Sequence, residues 1–73
     1  MSDRVVRTVC VADLTDADRD RPAGWWMPAD PRDGMGFDMT GATVGDAVDE
    51  LLSVVSADDR PAILAGRIEI IAD

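Results

Sequence analysis

The chain has 73 residues, with thirteen aspartates, two glutamates, seven arginines and a formal net charge of -8. It has one cysteine and no lysine, histidine, asparagine, glutamine or tyrosine. This inventory excludes a histidine-based catalytic triad or dyad, an internal disulfide, and any general attraction to nucleic acid or anionic membrane.

Three origins account for the acidity: hydration in a salt-loving cell, a GC-rich genome that depletes Lys, Asn, Tyr and Phe, or selection for a partner with a basic surface. The length allows one domain, residues 1–73, with a thin core. No apolar run approaches the roughly 18 residues of a membrane span. The segment Met1-Ser2-Asp3-Arg4 lacks the basic region and apolar stretch of a signal peptide, so a cytoplasmic protein is expected. Cys10 lies in Val9-Cys10-Val11-Ala12 and reads as a small buried hydrophobe.

Residues 4–14 come first in chain order. Val5, Val6, Thr8, Val9 and Val11 are β-branched, and apolar residues occupy both parities. A strand covered at least in part on both faces is expected. Residues 15–41 form a Pro/Gly/Asp-rich stretch that reads as a long loop. Thr15 is placed to cap one helical turn, with Asp18 three residues on. Asp33-Gly34 signals a turn. Met35, Phe37 and Met39 alternate with polar or small residues, which predicts a short second strand.

The third part has the strongest pattern. Thr43 is a candidate N-cap with Asp46 three residues later, and residues 43–56 are predicted to form the main helix. Val44, Ala47, Val48, Leu51, Leu52 and Val55 fall on one helical face. Asp46 stands in the first turn, where the backbone dipole favours an anion. Asp58, Asp59 and Pro61 read as loop. Residues 63–71 are then expected as a strand, with Leu64, Ile68 and Ile70 on one side and Gly66 at a bulge or bend. The fold class is therefore α+β: a small mixed sheet of about three strands packed on one main helix. The first and last strands are expected to be neighbours.

The segment Gly41-Ala42-Thr43-Val44-Gly45-Asp46-Ala47-Val48-Asp49-Glu50-Leu51-Leu52 resembles the helix entry of ubiquitin-like β-grasp proteins, especially the small sulfur carriers of the molybdopterin and thiamine pathways. The resemblance implies an opening hairpin that leads through a Thr-Val-Gly-like segment into the main helix. Those carriers end in Gly-Gly, whose carboxylate is activated and thiolated. This chain ends Ile70-Ile71-Ala72-Asp73, so that chemistry is not expected to carry over.

Carboxylate pairs such as Asp49 with Glu50 and Asp58 with Asp59 read as solvated surface rather than as acid/base pairs. Gly34-Met35-Gly36 lacks the spacing and the Lys of a phosphate loop. Asp16, Asp18 and Asp20 open like a calcium loop, but Arg21 and Met27 stand where it requires Gly and Glu. No catalytic residue, metal or cofactor is expected, and the protein is read as non-enzymatic.

Trp25-Trp26-Met27 is the strongest functional candidate. Tryptophan is enriched at interface hot spots, and methionine adapts to irregular surfaces. Two adjacent tryptophans do not readily share one side of an extended segment. The expected function is a small acidic adaptor or inhibitor that binds and modulates a larger protein through Trp25, Trp26 and Met27, with Asp30 and Asp33 at the rim. Enlargement of the core and a homodimer contact are the competing uses of these tryptophans. The alternative function is a phage-type nucleic-acid mimic, carried by an acidic face of Asp46, Asp49, Glu50, Asp58 and Asp59. A ubiquitin-like or sulfur-carrier-like protein is the third reading.

Overall fold

The computed structural model describes residues 5–30, 32 and 34–72. The β-branched run forms strand β1, Val5–Cys10, which ends in a 3-10 turn at Val11–Asp13. β1 pairs along its whole length with the last strand, β4, Arg67–Ala72, from Val5 opposite Ala72 to Cys10 opposite Arg67. First and last strands are thus neighbours, as their shared apolar character predicts. β4 is also flanked on its other side, and both Ile68 and Ile70 are fully buried.

That second neighbour is β2, Ala23–Met27, which lies inside the stretch read as loop. β3, Phe37–Asp38, completes the order β1-β4-β2-β3. The fold is α+β, as expected, but the sheet has four strands rather than three and every pair is antiparallel rather than mixed. β3 is also shorter than the alternation at Met35, Phe37 and Met39 implies. Only Phe37 and Asp38 join the ladder, while Met35 is 88% exposed.

A bulge explains why β2 escapes a period-two reading. Ala23 lies opposite Ile70 and Trp26 lies opposite Ile68, so three steps along β2 match two along β4. Gly24 and Trp25 together stand opposite Glu69. This extra residue shifts the parity, and Ala23 and Trp26 both face the core despite their odd spacing. Glycine is required here, because a Cβ on Gly24 would lie 2.9 Å from the Cβ of Glu69. The Trp25 amide donates to Oε1 of Glu69 at 3.0 Å, which gives a bulge amide a partner.

Helix α2, Val44–Val54, follows a turn at Gly41, whose φ of +101 favours glycine. The Thr43 hydroxyl accepts from the Asp46 amide at 3.2 Å, so the predicted N-cap is present. Val44, Ala47, Val48 and Leu51 are buried against the sheet, and Leu52 and Val55 pack at the margin. Helix α1, Asp16–Arg19, is the single turn that Thr15 and Asp18 announce, with both halves of the capping box formed. Arg7 ties it to β1 through Asp18 at 2.6 Å, and Arg19 ties it to α2 through Asp49 at 3.1 Å.

The expected strand over 63–71 begins too early. Arg60–Ala65 is a third helix, α3, and only Arg67–Ala72 is strand. Pro61 reads as a loop residue from sequence, yet it sits in the first turn of α3, where its missing amide hydrogen costs nothing. A short apolar run such as Ile63-Leu64 does not by itself distinguish strand from helix. α3 buries Ile63 and leaves Leu64 exposed. Gly66 then turns the chain into β4 against the indole of Trp26; a Cβ there would approach that ring to 2.5 Å. Cys10 is half-buried, with Sγ 3.7 Å from the Leu64 carbonyl oxygen. Among the described residues, no helix is long and apolar enough to cross a membrane.

Candidate protein-binding site on the open sheet face

Strand alternation sends the two tryptophans to opposite faces, and the bulge decides that Trp26 rather than Trp25 shares the core face with Ala23. Trp26 is 4% exposed. Its ring stacks on Phe37 with centroids 5.6 Å apart, and its Nε1 donates to the Ile63 carbonyl at 3.3 Å. Trp26 therefore serves the core, and a partner would have to open the fold to reach it. Trp25 is 47% exposed and Met27 is 37% exposed. Both point away from the helices. Val6 and Thr8 of β1 share this open face by parity, as do Arg67, Glu69 and Ile71 of β4. Glu69 holds the bulge and so positions Trp25. The sequence reading missed this role, although a glycine immediately before an apolar pair was its one available signal.

At the expected rim, Asp30 makes a local contact of its own. Its carboxylate accepts from the Arg32 amide at 2.9 Å and from the Arg32 guanidinium at 3.2 Å. The amide first, and the guanidinium second, hold its carboxyl below the usual carboxylate range. Asp33 and Pro31 lie outside the described residues. Asp38, opposite Trp25 in the ladder, accepts from both the hydroxyl and the amide of Thr40, which lowers its pKa in that order.

Beside Met27 the open face is concave. The chain leaves β2 at Pro28-Ala29 and returns through Gly34 and Gly36, bounding a cavity of about 540 Å³ with Thr8 and Arg67 on its sheet side. Gly36 lets the return pass close to β2, because a Cβ there would collide with the Trp26 carbonyl oxygen.

The charges are unevenly divided between the layers. The helical segments with their caps and turns, residues 11–21 and 43–66, carry nine carboxylates and three arginines. The described strands and the β2–β3 connection carry three of each, Asp30, Asp38 and Glu69 against Arg7, Arg32 and Arg67. Asp46, Asp49, Glu50, Asp58 and Asp59 are all exposed on α2 or just before α3. Asp49 is paired with Arg19, and Asp59 accepts from the Ser56 hydroxyl at 3.1 Å. The spacing of Asp16, Asp18 and Asp20 gives no cation cage: Asp18 is engaged by Thr15 and Arg7. Among the described residues no three metal-ligating side chains converge.

No family model, no curated protein and no solved structure matches the chain.

Proposed function

We propose that this chain is a non-enzymatic adaptor or inhibitor that binds and modulates a larger protein through the open face of its sheet. The observation that carries this reading is the bulge at Gly24-Trp25. It exposes a large aromatic ring on a strand whose other tryptophan is fully engaged in the core. A rigid, preorganised aromatic anchor loses little freedom on binding and suits a hot spot. Trp25 is the anchor, and Met27 and Val6 extend the apolar contact. The near neutrality of the strands leaves that contact free of the repulsion carried by the helical segments.

The test begins with a partner captured from the host lysate and ends in calorimetry. Trp25→Ala should weaken that partner's binding by at least about 2 kcal/mol, roughly thirtyfold. Asp30→Ala should have a smaller effect, because Asp30 already pairs with Arg32. Unchanged binding by a folded Trp25→Ala variant would refute the anchor.

The acidic-mimic alternative draws support from the charge segregation. Its signature is a loss of affinity on neutralising Asp46, Asp49, Glu50, Asp58 and Asp59, with Trp25→Ala silent. The narrower β-grasp, ubiquitin-like form is supported by the β2–β3 hairpin that leads into Thr43-Val44-Gly45 and α2. A carrier role would require a covalent adduct, visible by mass spectrometry of the protein isolated from its host.

A further inference from the structure

Among the described residues, Arg7, Arg19 and Arg32 each meet a carboxylate, at 2.6, 3.1 and 3.2 Å, whereas Arg21, Arg60 and Arg67 meet none. Of these three, Arg67 is the one on the open face of the sheet. Its cross-strand neighbours are neutral, Cys10 on β1 and Met27 on β2. The nearest acid along its own strand face is Glu69, and one oxygen of that carboxylate is engaged by the Trp25 amide. Arg67 also lines the 540 Å³ concavity, and the other described residues of its wall are Thr8 with its hydroxyl, apolar Met27, Pro28 and Ala29, and Gly34 and Gly36.

Among the described residues this combination has the character of a small-ligand site: mostly apolar walls, one cation, one hydroxyl, and a volume in the usual range for such sites. A guanidinium matches a carboxylate in two parallel hydrogen bonds. Glycine backbone gives a flat ligand close approach. The net charge does not forbid an anion here, because at physiological salt charges beyond about 8 Å are largely screened. The helical acids then matter less than the local cation.

We propose that this concavity binds a small monocarboxylic acid with an apolar body, its carboxylate on Arg67 and Thr8 and its apolar part on Met27 and Pro28. The ligand is a free small molecule. The site does not depend on Trp25 as a protein anchor, and failure of either assignment leaves the other standing.

The test uses the full chain and two matched probes, hexanoate and its neutral counterpart hexanamide, at about 150 mM salt. Two-dimensional NMR should show saturable shifts with hexanoate at Thr8, Met27, Gly34, Gly36 and Arg67. The Arg67 Nε–H resonance should move in the unsubstituted protein, a readout that needs no variant. Hexanamide should bind about tenfold more weakly, and Arg67→Gln should weaken hexanoate by a similar factor while leaving hexanamide unchanged. Equal binding of acid and amide, shifts scattered away from the concavity, or an unmoved Arg67 resonance would overturn the proposal. So would binding of a blocked Leu-Glu-Leu peptide without binding of hexanoate, which would assign the site to an acidic side chain of a docked protein.

Discussion

The two faces of the sheet draw on the same strands and meet different surroundings. On one face Ala23, Trp26, Ile68 and Ile70 are buried with Val44, Val48, Leu51 and Ile63 of the helices. On the other, Val6, Trp25 and Met27 stand substantially exposed beside a concavity that holds Arg67. One backbone irregularity thus decides which of two neighbouring residues of identical type serves stability and which the surface. A tryptophan's role here follows from its register, and its identity alone does not reveal it.

Truncating each tryptophan in turn separates the two faces most strongly. Trp26→Ala should cost about 3–5 kcal/mol, and Leu51→Ala on the facing helix about 2–5 kcal/mol, by chemical denaturation. Trp25→Ala should stay within about 0.5 kcal/mol. Equal losses from the two tryptophan variants would show that the open face is packed rather than free.

The bulge itself is the next target. Gly24→Ala forces a methyl group against the Glu69 Cβ and should cost about 1–3 kcal/mol. It should also alter the near-ultraviolet signal of Trp25. A variant as stable as the parent, with an unchanged aromatic spectrum, would mean that the strand accommodates a side chain there without re-aiming the indole.

Salt probes the helical layer. Nine carboxylates on the helical segments repel one another, so sodium chloride should raise the thermal midpoint by screening them. An unchanged midpoint would show that the charge carries no stability cost, and a partner-related reason for it would gain weight.

The smallest expected effect is on pH dependence. The Thr15 amide is the largest influence and lowers the pKa of Asp18; desolvation opposes it, and the Arg7 and Thr15 side chains add smaller lowerings, so the net shift is downward. Its folded pKa lies below its unfolded value, so its contribution is present above the unfolded value near about 4 and is lost as pH falls through the folded one. Asp18→Asn should therefore narrow the stability difference from the parent as pH drops below about 4. A difference that stays constant down to strongly acidic pH would remove Asp18 from the acid limb.

Local chemistry made part of this protein legible from its sequence. The apolar spacing from Val44 to Val55, the caps at Thr15 and Thr43, and the β-branched run of β1 act within a few residues, and each gives the expected element; β1, however, lies at the sheet edge with Val6 exposed rather than covered on both faces as expected. The strand status of Ala23–Met27, the helix at Arg60–Ala65, the division of labour between Trp25 and Trp26, and the neutral cross-strand neighbours of Arg67 depended on tertiary structure. Each rests on which residue lies across a ladder or against a distant ring: Glu69 opposite Gly24-Trp25, the Trp26 indole against Gly66, Met27 and Cys10 beside Arg67. Such partners lie tens of residues apart in the chain, and a single inserted residue reverses every side-chain direction after it, so local pattern alone does not specify them.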